Sequence, residues 1–198
     1  MSANLFLSNG ERAILENAKI GIAGAGGLGS NVASLLVRAG VRRLTIADFD
    51  VVAPSNLNRQ FYFRDQVGRK KVEALAENLR RIDPGVELSL HDVRLDAGNL
   101  SAVFADCRIV VEAFDNVASK TALLAAFADR TVVAASGIAG WGRSTDLSVR
   151  RVGKNLVLVG DFASEAGPET PPQSARVAIA AAMQANAVLA TLLGIGRI

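Results

Sequence analysis

The sequence predicts an α/β fold with a doubly wound, mainly parallel sheet, and three observations support this prediction. An apolar run, a glycine-rich turn, a helical stretch and a second apolar run follow one another in residues 19–50. Strand and helix patterns then alternate through the first two thirds of the chain, which is typical of parallel βαβ units. A continuous apolar run at 109–113 suits a strand that helices cover on both faces. Together they predict a Rossmann-like sheet between two helical layers.

The predicted elements follow this alternation in order. The helix of the first unit is predicted at 30–39. Apolar residues at helical spacing predict the next helix at 70–82, and Asp83, Pro84 and Gly85 end it. The later predicted elements are a strand at 86–90, a short helix at 100–104, a helix at 119–128 and a strand at 131–135.

The carboxyl-terminal part departs from the alternation. Residues 146–152 and 155–159 alternate apolar and polar side chains around Gly153, which predicts an antiparallel hairpin added at the sheet edge. The chain has 198 residues, half of them apolar, so it can bury one good core. We therefore expect a single domain over residues 1–198.

The composition limits the partners and the compartment. The 22 basic and 19 acidic residues give a net charge of +3, too small and too scattered to indicate nucleic-acid binding. Cys107 is the only cysteine, which excludes an internal disulfide and a multi-cysteine zinc site and suits the reducing cytoplasm. Residues 1–19 lack the pattern of a secretion signal. Gln184 and Asn186 interrupt the apolar tract 177–193, so we expect a buried or interface helix there and no membrane span.

The glycine-rich turn indicates a nucleotide. Gly24, Gly26 and Gly29 stand in GxGxxG register after the first apolar run. Such glycines let phosphate approach the amino terminus of a helix, where free N–H groups favour an anion. Asp48 ends the second apolar run, 19 residues after Gly29, where a carboxylate can accept hydrogen bonds from ribose hydroxyls.

Two cations and a carboxylate extend this site toward a triphosphate. Arg59 lies in the loop after Asp48, and Lys71 lies near the start of the next predicted helix. Two fixed cations exceed what a dinucleotide pyrophosphate needs but suit a triphosphate with a departing pyrophosphate. Asp115, at a strand end, could hold Mg²⁺, and Asn116 could orient the metal or the phosphates.

Each of these residues also has a simpler interpretation. Lys71 alone suits a solvated helix surface, and Arg59 suits a salt bridge within its loop. Asp115 and Asn116 together suit the cap of the helix that follows them. The order and the spacing of the residues favour the common site.

The motifs GAGGLG, ADFDVVAPSNLNRQ, GRKK and EAFDN closely resemble the nucleotide site of the ThiF, MoeB and HesA group, the bacterial form of the ubiquitin-activating superfamily. The resemblance covers residues 20–191, and SNLNRQ and FDN are its most specific elements. The sequence is especially similar to the short ThiF family 2 branch of thiamine biosynthesis, which shares EAFDN, AASGIAGWG and the late QAN.

The resemblance implies ATP-dependent adenylation of the carboxyl-terminal Gly-Gly of a small ubiquitin-like sulfur carrier. It also implies a role for each matching residue. Gly27 would contact phosphate or ribose, Asp48 the ribose, Asn56 and Arg59 the phosphates, Lys71 the phosphate in the transition state, and Asp115 the Mg²⁺ with Asn116 beside it.

The sequence departs from longer relatives in two respects. It lacks their two CxxC pairs for structural zinc, and Cys107 lies before a strand, away from the expected site, so we expect a core or surface cysteine and no covalent relay to sulfur. Relatives form homodimers in which an amino-terminal arginine completes the partner's site. Arg12 is the candidate for that role here, although its surroundings match the family poorly.

Three alternatives remain open at this point. A nicotinamide-dependent oxidoreductase would share the glycine turn and Asp48, but the one histidine, His91, is poorly placed for hydride chemistry. A relative that activates a carboxylate of a molybdopterin carrier or of transfer RNA is the second, and a module that only docks a carrier is the third. The loop 136–142, SGIAGWG, is either a groove for the glycine tail of the carrier or an ordinary turn.

Overall fold

The computed structural model describes residues 6–195, and seven strands form its single sheet. The strands are β1 (Lys19–Ala23), β2 (Arg43–Ala47), β3 (Glu87–His91), β4 (Ile109–Glu112), β5 (Thr131–Ala135), β6 (Ser148–Val152) and β7 (Leu156–Gly160). The helices are α1 (Asn9–Asn17), α2 (Gly27–Ala39), α3 (Lys71–Ile82), α4 (Leu100–Val103), α5 (Val117–Ala126) and α6 (Ser174–Leu192).

The sheet has the order β3-β2-β1-β4-β5-β7-β6, and its strands are parallel except for β6, which pairs antiparallel with β7. The chain progresses outward through β2 and β3, then returns to pair β4 with the other edge of β1. The doubly wound fold is thus confirmed, as is the hairpin at the sheet edge. The reversal of strand order lies between β1 and β4.

Helices cover both faces because alternate strand residues contribute to two apolar clusters. Ile109 and Val111 of β4 belong to the cluster formed with α2, α3 and α6. Val110, on the opposite face, belongs to a second cluster with Phe104 and Phe127. The rings of those two phenylalanines meet edge to face with their centroids 6.2 Å apart.

Several helix boundaries differ from the predictions by one to three residues, and one helix was not predicted. Helix α2 begins at Gly27, so the last glycine of the motif lies inside the first helical turn rather than before it. Helix α1 was not predicted, although Ser8 and Glu11 form a capping box at its start, with the Glu11 carboxylate 2.9 Å from the Ser8 backbone nitrogen. The Ser-x-x-Glu spacing was the available signal.

Helix α6 is a core helix. Its 19 residues and mean hydropathy of 1.4 would suffice for a membrane span by length and composition alone. However, it packs against α2, β5 and β7, and 56% of it is buried. The Gln184 side chain in its middle donates hydrogen bonds to the backbone carbonyls of Glu112 and Val133, at 3.1 and 3.2 Å. The polar interruption of the tract thus serves to join α6 to two strands.

Candidate nucleotide-binding site

A cleft of about 670 Å³ lies at the carboxyl ends of the central strands. Residues after β1, β2, β4 and β5 line it, and the segment between β7 and α6 adds a further wall. This is the reversal of strand order, where doubly wound sheets bind ligands. Of the residues predicted for the site, all line the cleft except Gly29 and Asn56.

The glycine turn presents backbone groups to the cleft. Gly24 has a φ of 103°, and a Cβ there would lie 2.8 Å from the Ala113 carbonyl oxygen. Gly26 and Gly27 form the start of α2, where the first N–H groups of the helix are available to an anion. A Cβ at Gly29 would lie 1.8 Å from the Gly24 carbonyl oxygen. Gly29 is therefore required for helix–strand packing rather than for ligand contact.

Asp48 is joined to the glycine turn at the carboxyl end of β2. One of its carboxylate oxygens accepts a hydrogen bond from the Ala25 backbone at 2.7 Å, and the other accepts one from the Asp50 backbone at 2.8 Å. Because each oxygen has further acceptor capacity, the carboxylate can still bind the hydroxyls of a ribose. The bonds fix where those hydroxyls would lie relative to the turn.

Tyr62 supports the glycine turn through its hydroxyl, and this role was not predicted from the sequence. Its hydroxyl donates to the Ala25 carbonyl at 2.7 Å and lies 3.3 Å from the Lys71 carbonyl. Burial, with Asp48 and Asp50 nearby, raises the pKa of Tyr62 well above its ordinary value. The hydroxyl therefore remains a donor, which ties the glycine turn to the start of α3.

Arg59 reaches the cleft from the loop after β2. Its guanidinium donates to the Asn58 side-chain oxygen at 2.7 Å, and its backbone carbonyl accepts from the Asn31 side chain of α2 at 2.9 Å. Within residues 6–195, no carboxylate lies within 4.0 Å of the guanidinium. The positive charge of Arg59 is consequently available to an anionic ligand.

Lys71 is held by one carboxylate. Its ammonium lies 2.7 Å from Asp50, and its side chain is only 7% exposed, whereas that of Asp50 is 47% exposed. The Lys71 backbone N–H also donates to the Asp50 carbonyl at 2.9 Å. The exposed partner can be hydrated if the lysine turns to a phosphate.

Asp115 and Asn116 lie past the end of β4, both exposed at the cleft. The Asn116 side-chain oxygen accepts from the Ser119 backbone at 2.8 Å and so caps α5. Its amide nitrogen lies 3.5 Å from the Asp115 carboxylate. Asn116 therefore caps the helix, as one of its two interpretations expected, and it also adjoins a solvated carboxylate in the cleft.

An ion pair between the buried Glu112 and Lys120 joins the ends of the adjacent strands β4 and β5. The Glu112 side chain is 1% exposed, and the Lys120 ammonium lies 3.0 and 2.9 Å from its two oxygens. Lys120 also donates to the Ala135 carbonyl at 3.0 Å, while Glu112 accepts from the Phe114 backbone at 2.7 Å. Burial raises the pKa of Glu112, and Lys120 offsets part of that rise.

This pair was not predicted, because residues 109–113 were interpreted as one apolar run although Glu112 lies within it. The signal was a charged residue in a strand predicted to be covered on both faces, since a buried charge needs a partner.

A contact between Arg94 and Phe49 was also not predicted from the sequence. The Arg94 guanidinium lies 4.0 Å from the centroid of the Phe49 ring, and both residues line the cleft. That flat surface suits a nucleobase.

Two loops interlock in the wall beyond β5 and β7. A Cβ at Gly137 would lie 2.0 Å from the Asp161 carboxylate, and one at Gly160 would lie 1.7 Å from the Ser136 carbonyl. The Asp161 backbone N–H donates to the Gly137 carbonyl at 2.9 Å. Both glycines have positive φ angles, 74° and 145°, so each position requires glycine for its conformation and for space.

Asp161 anchors the segment that leads to α6. Burial alone would raise the pKa of Asp161. Hydrogen bonds from the Ser164 and Ala163 backbones and from Arg176 outweigh burial and lower the pKa to about 2. Arg176, in the first turn of α6, forms a short charge-assisted hydrogen bond with the second carboxylate oxygen. The segment from Asp161 to Arg176 contributes Ser164 to the cleft lining, and this contact joins its two ends.

Four other residues named from the sequence lie outside the cleft lining. The Asn56 side-chain oxygen accepts from the Ala53 backbone at 3.0 Å, so it stabilises its own loop where phosphate contact was expected. Arg12 lies on α1, His91 ends β3, and Cys107 is buried in the cluster around α4 and α5. Burial raises the pKa of the Cys107 thiol, as expected of a core cysteine.

The fold and the cleft define a class: a doubly wound α/β domain whose glycine turn, strand-end carboxylates and cations form a candidate site for a nucleotide. The chain belongs to the ThiF family, whose model matches residues 2–198. The resemblance stated from the motifs is thus confirmed.

Curated relatives match between about half and two thirds of the chain. The adenylyltransferase and sulfurtransferase MOCS3 of Caenorhabditis briggsae is 43% identical over 107 residues, which are 54% of this chain and 27% of that protein. The molybdopterin-synthase adenylyltransferase of Escherichia coli K12 is 38% identical over 126 residues, 63% of this chain and 51% of that protein. The chain thus spans about half the length, or less, of these relatives.

A solved structure matches more of the fold at lower identity. The E. coli tRNA N6-threonylcarbamoyladenosine dehydratase TcdA, in complex with ATP, superposes with a TM-score of 0.86 at 23% identity and covers 94% of this chain and 90% of that one. At that identity the match shows a common fold.

Proposed function

We propose that this chain is a nucleotidyltransferase that uses ATP to adenylate the carboxyl-terminal Gly-Gly of a small ubiquitin-like sulfur carrier. The observation that carries the proposal is the convergence at one cleft of the glycine turn, Asp48, Arg59, Lys71 and Asp115. The adenylyltransferase names of the curated relatives support the same class of reaction.

The chemistry needs no general base because the carrier carboxylate is already an anionic nucleophile. One carboxylate oxygen forms a bond to the α-phosphorus of ATP, the bond from that phosphorus to the bridging oxygen breaks, and pyrophosphate leaves with the electron pair. The main obstacle is to bring two anions together. Arg59 and Lys71 would bind phosphate, the start of α2 would bind it through N–H groups, and Asp48 would bind the ribose.

The residues at the end of β4 fit a magnesium ion carried with ATP. Mg²⁺ is commonly held by one or two carboxylates together with substrate phosphates and water. Asp115 offers an exposed carboxylate in the lining of the cleft, and Asn116 adjoins it. When bound, Mg²⁺ would neutralise charge on the departing pyrophosphate.

The carrier we propose is the thiamine one, ThiS-like, whose adenylate serves thiazole synthesis. The similarity of residues 134–142 and of the late QAN to the short ThiF branch supports that choice over a molybdopterin carrier. Because Cys107 is buried and is the only cysteine, the reaction on this chain would end at the adenylate. Sulfur transfer would then fall to another protein, and no structural zinc is needed.

The carrier tail would enter along the loop 136–142. Trp141 in this loop is 78% exposed, and its neighbour Gly140 has a φ of 65°. Any side chain at Gly140 would be strained regardless of a partner, so Trp141→Ala is the better test of docking. We expect weaker carrier binding with unchanged ATP binding, and unchanged carrier affinity would exclude this loop.

The assembly we propose is a cytoplasmic homodimer of one domain over residues 1–198, in which Arg12 completes the partner's site. Close packing around the alanine-rich α6 is consistent with a dimer. Sedimentation velocity of the wild-type protein tests the oligomeric state. Complementation of Arg12→Ala by Lys71→Ala in mixed dimers would test whether the site is shared, because each mixed dimer would retain one intact site.

The decisive experiment is magnesium-dependent exchange of labelled pyrophosphate into ATP, with and without the purified Gly-Gly carrier. We expect exchange only when the terminal glycine of the carrier is present. ATP binding without exchange would contradict the carrier, and failure to bind ATP would favour a nicotinamide dinucleotide at the glycine turn.

A second candidate is activation of a carboxylate carried by transfer RNA. The observation that favours it is the match to TcdA over 90% of that chain, whereas the carrier-activating relatives are matched over 27–51% of theirs. The net charge of +3 offers little for an RNA backbone. Exchange that depends on transfer RNA rather than on the carrier would establish this alternative.

A further inference from the structure

The Glu112–Lys120 pair has no role in the reaction as proposed, although it lies beside the cleft. Each member occupies a position that is unfavourable alone. Glu112 is a carboxylate in a strand covered on both faces, and Lys120 is a cation in the first turns of α5, where the helix dipole disfavours positive charge. Replacing a buried ion pair by apolar residues is often neutral or stabilising, so fold stability alone does not account for it.

The contacts of the pair reach the turns that follow β4 and β5. Glu112 accepts from the Phe114 backbone, directly before Asp115, while Lys120 donates to the carbonyl of Ala135, directly before the loop 136–142. The Glu112 carboxylate also lies 3.4 Å from the Ala135 nitrogen. One ion pair thus connects the turn that bears Asp115 with the loop that follows the adjacent strand β5.

The acceptors around the Lys120 ammonium show which groups the lysine binds. Its ammonium has three donors, and it lies within hydrogen-bond distance of three acceptors: both Glu112 oxygens and the Ala135 carbonyl. Gln184 of α6 secures the same junction by donating to the Glu112 carbonyl. Two of these acceptors belong to one carboxylate, so Lys120 is directed at Glu112 and Ala135, whereas no carboxylate lies within 4.0 Å of the Arg59 guanidinium in residues 6–195.

We propose that Glu112 and Lys120 are positioning residues that set the distance between the Asp115 turn and the loop 136–142, and thereby align the nucleotide with the attacking carboxylate. This inference rests on the proposed function. Glu112 and Lys120 act in the adenylation step, and neither residue contacts ATP or the carrier. Misplacement of reacting groups by about 1 Å can cost about 100-fold in rate.

The test is a double-mutant cycle of Glu112→Gln, Lys120→Met and both together, measured by pyrophosphate exchange. We expect each folded variant to lose about 100-fold in rate, with the double variant no worse than either single one, because the two residues act as a unit. ATP affinity by calorimetry should change by less than about threefold, since the ATP contacts remain. Lys120→Arg, which keeps the charge, should recover part of the rate.

Lys120→Met leaves Glu112 unpaired, and this variant could fail to fold, so the double variant carries the test in that case. The matched control is Arg42→Met with Asp83→Asn, a partly buried pair 3.2 Å apart near the amino-terminal ends of the strands. It should leave exchange unchanged. Normal exchange in the folded double variant, with only a lower melting temperature, would overturn the inference.

Two further results separate the inference from its premises. If Glu112→Gln were fully active while Lys120→Met were inactive, Lys120 would contact a substrate directly and the positioning role would be wrong. If the wild-type protein showed no carrier-dependent exchange, the proposed function itself would fail.

Discussion

The two walls of the cleft each contain a lysine–carboxylate pair, and the pairs are buried in opposite senses. In the wall from β2 and α3, Lys71 is the buried partner and Asp50 is half exposed. In the wall from β4 and α5, Glu112 is buried and Lys120 is 28% exposed. Water reaches the carboxylate of the first pair and the lysine of the second. The free energy needed to separate the two charges therefore differs between the pairs.

This difference separates two uses of a cation. Lys71 can leave Asp50 because water replaces it there, so Lys71 is free to bind a phosphate. Lys120 cannot leave Glu112 without stranding a charge in the interior. Lys71 is therefore an exchangeable cation and Lys120 a fixed one, and three of the four predictions that follow bear on that contrast.

The largest expected effect is on stability, for Lys120→Met. Removal of one partner of a buried ion pair costs about 3–5 kcal/mol because the remaining charge is uncompensated. Urea unfolding should show this loss. Most of it should be recovered by adding Glu112→Gln, and a loss as large in the double variant as in the single one would contradict the argument.

The next effect is on catalysis, for Lys71→Met or Arg59→Ala. Loss of a fixed group that stabilises developing charge lowers a rate by about 10²–10³-fold. Pyrophosphate exchange should fall by that factor while urea unfolding shows an intact fold. Exchange like that of the wild type in either variant would remove that residue from the site.

A smaller effect depends on pH and concerns Asp161→Asn. Because the folded pKa of Asp161 is about 2, below the ordinary 3.8, its ionised form stabilises the protein above pH 4, and that contribution is lost as the pH falls toward 2. The variant should be about 2 kcal/mol less stable at pH 7, as expected for charged hydrogen bonds. The difference from wild type should shrink between pH 4 and 2, and a constant difference would exclude ionisation as the cause.

The smallest effect is expected for Asp50→Asn. The side-chain oxygen of asparagine can still accept from the Lys71 ammonium, and water reaches the half-exposed position 50, so urea unfolding should show a smaller loss than for Lys120→Met. Removal of the carboxylate that competes for Lys71 should leave ATP affinity equal or tighter in calorimetry. A clear weakening would show that Asp50 orients Lys71 rather than merely holding it.

The sequence sufficed for the parts of the molecule that local patterns encode. Periodic apolar runs predicted the strands and helices, and the carboxyl ends of parallel strands brought Asp48 and Asp115 to one cleft. Asn56 was expected to contact phosphate, but its side chain turns back to the Ala53 backbone, a local choice that a motif does not reveal.

The missed features depend on contacts between distant segments. Tyr62 supports the turn at Ala25, and Asp161 pairs with Arg176 across a proline-rich segment that has no periodic pattern. Glu112 stood out only as a charge within an apolar strand. Side-chain pairing at such distances follows from the tertiary fold, so one sequence could indicate that a partner was needed but not which one.

The interlocked glycines have a consequence for engineering this domain. Loop 136–142 and the start of the segment 160–174 each occupy space that the other leaves open, at Gly137 and Gly160. A loop transplanted alone from a relative with a different substrate would collide with its untouched neighbour. The two loops must therefore be exchanged as one unit, with both glycines included.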